Sequence, residues 1–366
     1  MSTLKKILIL GKLPPPFMGP ALATKIILES SLKDRYSLLH LDTKAYDSLS
    51  ELGKWSIKKV IRNFRIYFRM FNVCLFEKPA MILIPISQAT SGFIKDSIFI
   101  LIARLTRRRV LLQLRGSDFK TWVEGSSSIV QGYVSFVLKR CQGVIVLGNS
   151  LRTLFAKYFP MEKIYVVPNG ANYSLNFSVK NNSPLKILYL ANLQASKGIE
   201  DLIDAVAILC KEGKPDFKVD VVGAWRKEET RLSCEKMVDQ NKLPVQFHAP
   251  DAGAAKMKFL SDADIFVFPP RAPEGHPWVI VEAMAAGLPV ISTDRGSIAE
   301  CILDGTNGFI VPVNKPDAIA SRMNQLIKDA SLRERMGRES RRLYEQYFTE
   351  QKMVDRLSDT FEKVMA

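Results

Sequence analysis

The stretch PEGHPWVIVE, Pro273 to Glu282, sets two glutamates eight positions apart with a histidine, a proline and a tryptophan between them. On one continuous helix, eight steps of 100° would leave the carboxylates about 80° apart around the axis and roughly 12 Å apart along it. That geometry is poor for shared acid/base work. Proline is best tolerated at the first helical position. The spacing therefore predicts a loop carrying Glu274 and Gly275, a helix opening near Pro277, and Glu282 in its second turn. The free amides at such a helix start favour a diphosphate, although Pro277 removes one donor. Glu282 could accept hydrogen bonds from a ribose diol, and Glu274 could reach a sugar ahead of the helix; either could also be a solvated face residue.

Other residues could serve the same chemistry. In LANLQASKGIEDLIDAV, Lys197 and Gly198 occupy the loop between a strand and an amphipathic helix. A lysine there can point a compact charge at a phosphate, or lie solvated on the surface. The first loop, GKLPPPFMGPALATK, has Gly19 just before a helix. A small residue there allows close backbone approach to an anion; a plain tight turn is the alternative. Asp262 and Asp264 make a D-x-D, but a hard cation needs further oxygen ligands. His40, His248 and His276 are dispersed, so no metal site is expected.

The elements that must position these residues read as short apolar strands alternating with helices. Strands are expected at 6–10, 37–41, 81–86, 110–114, 143–147 and 164–168, and again at 186–190, 218–223, 245–248, 264–269, 289–293 and 308–312, with helices such as 199–212 and 278–286 between them. Strands apolar on both faces indicate parallel sheets covered on both sides. Each half is therefore expected to be a doubly wound α/β domain, the two facing across a cleft that the carboxyl ends of both sheets line. The Asn- and Ser-rich segment 169–184 reads as the linker. The expected domain bounds are 1–175 and 176–345, followed by a helix at 346–366.

A chain of 366 residues, 47% hydrophobic and 24% charged, is expected to fold rather than to be disordered. MSTLKKILIL reads as a first strand rather than a signal peptide. No apolar run reaches the eighteen residues a span requires. Five scattered cysteines without CxxC spacing suit a reducing cytoplasm and indicate neither a disulfide framework nor zinc.

Charge divides unevenly. Residues 1–175 hold 26 Lys+Arg against 10 Asp+Glu, whereas 176–366 hold 26 against 27. The first half should therefore meet an acidic surface. Within it, KWSIKKVIRNFRIYFRMF (54–71) places 54, 58, 62, 65 and 69 on a basic helical face and 57, 61, 64, 68 and 71 on an apolar one. The apolar face is expected to pack on the sheet. The basic face, with Arg104 and Arg107 to Arg109, suits an anionic bilayer. Without a recognised nucleic-acid module, a membrane is favoured over nucleic acid.

The segment 269–312 resembles the glutamate-pair motif and following glycine-rich run of the retaining family-4 glycosyltransferases, glycosyl transferases group 1, which have the GT-B architecture. Further likeness lies in the PP-x-x-G loop ending at Gly19, LRGSDF (114–119), VVPNGAN (166–172), SKGIEDLIDAV (196–206), VVGAW (221–225) and SDADIFVFPP (261–270). The resemblance implies two Rossmann-like doubly wound domains facing across a cleft, 1–175 for the acceptor and 176–345 for the nucleotide sugar, with the helix at 346–366 returning to the first. It also implies transfer of a sugar from a nucleoside diphosphate to a hydroxyl of a glycan or lipid-linked acceptor, with retention, in cell-surface polysaccharide synthesis. No metal or other cofactor is implied.

On this likeness Glu282 holds the nucleotide ribose and Glu274 contacts the transferred sugar. Lys197, Gly19, Gly275 and the amides from His276 through Trp278 to Val279 hold the diphosphate. Two positions depart from many relatives. Asn192 stands where an arginine is common, and Arg115 where a histidine is common. Arginine is no base, but its fork can bind phosphate or stabilise an oxyanion. The departures keep open a weakened or non-catalytic sugar-nucleotide-binding relative. Another GT-B activity, a sugar-nucleotide epimerase or an inverting transferase, is the remaining alternative.

Overall fold

The computed structural model describes residues 4–15, 19–44, 57–175, 182–213, 216–250 and 253–366. The chain divides into two compact units, Met1–Ala171 with Glu350–Ala366, and Asn172–Thr349.

In the first unit the order is β1 (Lys6–Gly11), α1 (Gly19–Glu29), β2 (Ser37–Asp42), α2 (Ile57–Phe76), β3 (Met81–Ile86), α3 (Thr90–Leu105), β4 (Arg109–Leu114), α4 (Phe119–Glu124), α5 (Ser128–Leu138), β5 (Gly143–Val146) and β6 (Ile164–Val166). All its described strand pairs are parallel, in the order β2-β1-β3-β4-β5-β6. Successive side chains of a strand point to opposite faces, and both faces here are apolar. Leu8, Leu10, Ile82, Ile84, Leu112 and Val144 face one core together with residues of α2, α3 and α5. Ile7, Ile9, Met81, Leu83, Leu111 and Ile145 face the other.

In the second unit β7 (Leu185–Leu190), α6 (Ile199–Glu212), β8 (Phe217–Val222), α7 (Glu228–Gln240), β9 (Val245–His248), α8 (Ala254–Asp262), β10 (Ile265–Phe268), α9 (Trp278–Ala285), β11 (Val290–Thr293), β12 (Gly308–Val311), α10 (Pro316–Lys328) and α11 (Ala330–Tyr347) follow. The sheet runs β12-β11-β10-β7-β8-β9, again parallel throughout. Its order reverses between β7 and β10. In open α/β sheets a ligand crevice forms outside the carboxyl ends of the strands at such a switch point.

The last helix, α12 (Glu350–Met365), belongs to the first unit. Its Met353, Val354, Leu357, Phe361 and Val364 close the core that contains Ile7 and Leu83. Arg109 Nη1 donates to Val364 O at 2.8 Å and Arg35 pairs with Asp355. Arg109 is thus spent on this helix and does not join a basic outer surface. Of the segment 169–184, residues 176–181 lie outside the described residues, while Tyr173 and Leu175 are tied into the second unit.

The face assignment of α2 is corrected by the structure. The buried side is Met70 and Cys74, flanked by partly buried Ile66, Tyr67 and Val73. Ile61, Phe64 and Phe68, expected to pack on the sheet, are exposed. Periodicity groups residues on a face, but it does not say which face turns inward when two sides are apolar. Residues 54–56 and the side chains of 57–59 lie outside the described residues.

Candidate active site

Two loops leave the sheet of the second unit at its switch point. The loop after β7 ends in the turn Ala195–Lys197, and Gly198 then opens α6 in the left-handed region, at φ 75°. A Cβ on Gly198 would fall 1.9 Å from Pro269 O, so only glycine lets this turn approach the loop after β10. Across that approach Lys197 Nζ pairs with Glu274 Oε1.

The contact is held from both sides. Arg271 donates from Nε and Nη2 to the two carboxylate oxygens of Asp201, each at 2.8 Å, and from Nη1 to Glu200 at 2.6 Å. Hydrogen bonds from Arg271 to Asp201 push the arginine's pKa above its ordinary value. The amides of Arg271 and Ala272 both donate to Ser196 O. On the other side, hydroxyls from the end of β11 and beyond brace the same loop. Ser292 donates to Phe268 O, Thr293 to Pro270 O and Ser297 to Gly275 O. Gly296 sits at φ 68°, and a Cβ there would meet Glu274 O at 1.6 Å.

The loop then feeds α9, with Pro277 as its N-cap. The amides of Ile280 and Val281 bond Pro277 O. Those of Trp278 and Val279 precede the helix's own ladder, as the first amides of any helix must. The His276 ring is turned inward, its Nε2 3.1 Å from Cys301 Sγ and its face 5.1 Å from the Phe348 ring. The imidazole of His276 is thus packed into the interior of the second unit.

Glu282, in the second turn, is 1% exposed. Its Oε1 accepts from Lys256 Nζ at 2.5 Å and from Tyr173 OH at 3.4 Å, while Oε2 is buried without a hydrogen-bond partner among the described residues. Burial raises the pKa of Glu282, opposed by Lys256 and Tyr173. Burial, and then the charge of Glu282, hold the Tyr173 phenol well above its ordinary value. The two glutamates thus have separate ammonium partners.

Gly19 and Arg115 belong to the first unit. Gly19 is the first residue of α1. Arg115 follows β4 and donates to Gln113 Oε1 at 2.8 Å; burial pulls its pKa down to about 10, so it stays a cation at neutral pH. Nearby, Gln88 Oε1 accepts from the Asp118 amide at 2.6 Å, and Asp96 accepts from the Ser87 amide at 2.7 Å. Burial raises Asp96 to about 6, against the hydrogen bonds from Ser87 and the charges of Lys12 and Lys95. Asp264 is engaged structurally, accepting from the Lys186 amide at 2.8 Å and from Asn182 at 2.9 Å. Among the described residues no three His, Cys, Asp or Glu side chains form a metal cluster.

Lys256, Arg271, Thr293, Gly296 and Ser297 were not singled out from the sequence. The run STDRGS, hydroxyls at a strand end before a glycine, was the available signal for the last three. Nothing local marked Lys256.

Residues 174–343 match the family described as glycosyl transferases group 1. This segment is a group 1 glycosyl transferase domain. It contains Lys197, Glu274 and Glu282 with the side chains that brace them, apart from Tyr173, which lies one residue before it. The capsular polysaccharide biosynthesis glycosyltransferase CapM of Staphylococcus aureus is 29% identical over 185 residues, 49% of this chain and 46% of that protein. Spore coat protein SA of Bacillus subtilis is 30% identical over 183 residues, 48% of each. The matches thus span about half the length of these curated relatives. The structure of HepE from Anabaena, in complex with UDP and glucose, superposes with a TM-score of 0.74 at 18% identity, covering 98% of this chain and all of that one. Likeness at that identity concerns the fold, and the fold is GT-B: two doubly wound parallel-sheet units, the second being the group 1 domain.

Proposed function

We propose that the chain is a retaining glycosyltransferase. It moves a sugar from a nucleoside diphosphate to a hydroxyl of a glycan or lipid-linked acceptor, at the cytoplasmic face of a membrane, in the synthesis of a cell-surface polysaccharide. The observation that carries this reading is the Lys197–Glu274 contact at the switch point, beside the amides that open α9. The reaction breaks the bond from the sugar's anomeric carbon to the diphosphate and forms one to the acceptor oxygen. The acceptor proton leaves with the diphosphate, on the same face of the sugar. Negative charge grows on the departing phosphate, so an ammonium and helix amides fixed beforehand lower the barrier without a protein nucleophile. Glu274 orients the sugar and steadies positive charge at its ring. Glu282, deep in the second turn, takes the ribose hydroxyls. The positive charge the leaving group needs is assigned to Lys197 and these amides rather than to a metal.

The names of the relatives support the class: CapM is a capsular polysaccharide glycosyltransferase, and HepE is described with UDP and glucose. UDP-, GDP- and ADP-sugars are to be screened for thermal stabilisation, where a ligand at 100 times its dissociation constant contributes about 2.7 kcal/mol. Glu282→Ala should abolish the stabilisation, whereas Glu274→Ala should keep it and slow transfer. Equal effects of both on binding and turnover would refute this division of roles. Donor that binds yet stays intact with every acceptor would favour a sugar-nucleotide-binding protein.

A further inference from the structure

Exposed large hydrophobic side chains are not scattered over this molecule. Of the fifteen among the described residues, ten lie on α2, α3 and α5 of the first unit or at their ends. These helices cover the same face of one sheet. They are neighbours, since the Tyr67 ring meets Phe99 at 4.9 Å and Ser97 Oγ lies 2.6 Å from Tyr133 OH. Exposed apolar side chains gathered on neighbouring helices mark an interaction surface, whereas singly scattered ones need no explanation.

The exposed residues follow helical stripes. On α2, Ile61, Phe64 and Phe68 recur at steps of three and four, the phenyl groups being 70% and 68% exposed. On α3, Ile94, Leu101 and Leu105 recur at seven and four, and Leu105 is 76% exposed. About 100° around α2 from its apolar stripe lie the exposed Arg62, Arg65 and Arg69, while Arg104 and Arg107 stand exposed at the end of α3. The sequence of α2 contains no acidic residue. No helix among the described residues is long and apolar enough to cross a membrane.

We infer that the outer face of α2, α3 and α5 docks on an anionic lipid bilayer, with Phe64, Phe68 and Leu105 entering the boundary between headgroups and acyl chains and the flanking arginines on lipid phosphates. The inference rests on the proposed function for its lipid-linked acceptor, and on the two helical stripes for its surface. Charge complementarity selects this occupant. A second copy docked symmetrically would set one basic helix against another, and like charges oppose that contact. A nucleic acid would satisfy the arginines, but it offers nothing to the isoleucines and leucines of α3. A bilayer with anionic headgroups satisfies both, as amphipathic helices lying in an interface do.

The test is co-sedimentation of the full chain with vesicles of phosphatidylcholine alone and of phosphatidylcholine mixed with phosphatidylglycerol. The chain should bind the anionic vesicles. Phe64→Ser with Phe68→Ser should weaken binding about tenfold or more, since both rings are already in water and their loss leaves the core intact. Arg65→Gln with Arg69→Gln should weaken binding and flatten its salt dependence, because salt screens such contacts within roughly 10 Å at 0.1 M. Leu232→Ser, an exposed site on the second unit, should change nothing. Failure to bind either vesicle, or equal binding by the phenylalanine variant, overturns the inference. So does light scattering that shows a dimer which the phenylalanine substitutions dissociate. Donor stabilisation measured on the same samples separates the two readings. Vesicle binding without stabilisation by any nucleotide sugar would sink the enzymatic reading alone, and stabilisation without vesicle binding would sink the docking face alone.

Discussion

Lys256→Met isolates the cost of the buried Glu282 carboxylate. The two side chains are 18% and 1% exposed, and the pair closes at 2.5 Å. Removing one partner of a buried ion pair costs about 3–5 kcal/mol, because the remaining charge is left in a poor solvent. The partial exposure of Lys256 and the surviving Tyr173 contact place this case at the lower end, about 3 kcal/mol. For a unit of the size of Asn172–Thr349 that corresponds to a fall in Tm of about 6–12 °C. The loss should depend on pH. Burial already raises Glu282, and Lys256 is the main opposing influence, so the variant's carboxyl rises further above the unfolded value of about 4.3. An acid with a raised folded pKa binds more protons folded than unfolded, so stability falls as pH climbs from that unfolded value through the folded one. The deficit should therefore be small near the unfolded value of about 4.3 and grow as pH rises above it. Adding Glu282→Gln to Lys256→Met removes the stranded charge and should restore stability to within about 1 kcal/mol. Thermal melts across pH measure all three proteins. A deficit that ignores pH, or a double variant no better than the single, would refute the claim that Lys256 is there for a buried carboxylate.

Gly296→Ala should cost at least about 1–2 kcal/mol for its left-handed backbone alone; since the new Cβ would strike Glu274 O at 1.6 Å, donor turnover should fall with it, and unchanged turnover would remove Gly296 from the bracing of Glu274. Arg271→Lys should destabilise by about 2 kcal/mol in denaturant melts, because an ammonium cannot reproduce the fork on Asp201 and Glu200; a silent substitution would mean the two loops are held otherwise. Asp96→Asn should steepen the contrast with the parent chain as pH rises. Asp96 is lifted to about 6, so it subtracts stability between about pH 4 and 6 and above. The variant should be about 2 kcal/mol more stable at neutral pH and not at pH 4, by thermal melts, and a loss at both values would show that the carboxylate's bond to Ser87 outweighs its burial.

The strands were legible because both faces of a central parallel strand are apolar, which turns each into a short hydrophobic run; VQFH and MILIPI fall where β9 and β3 lie. The loop–helix context of Glu274 and Glu282 was legible for a local reason, proline at a helix start, and Pro277 is the cap of α9. What was not legible was set by contacts distant in sequence. Lys256 lies 26 residues from Glu282 on another helix, and an isolated lysine in an exposed-looking stretch carries no sign of its partner. The hydroxyl braces depend on where the carbonyls of 268–275 fall, which only the folded sheet decides. The stripe Ile61, Phe64 and Phe68 was visible as a stripe, but a helix apolar on two sides leaves its inward direction to the neighbours, here Tyr67 against Phe99.

The return of α12 to the first unit has a consequence for synthesis. When residue 171 has left the ribosome, the sheet face formed by Ile7, Leu83 and Ile145 still lacks the helix that carries Val354, Leu357 and Phe361. At roughly 5–20 residues per second, translating the intervening Asn172–Thr349 occupies on the order of ten to forty seconds. Through that interval the second unit, contiguous in the chain, can close its core while the first has that sheet face covered only in part, by Ile27 of α1 and by Leu32 and Tyr36 after it. Birth order and completion order are reversed, and the nascent chain passes through a stage in which a chaperone has an apolar sheet face to hold.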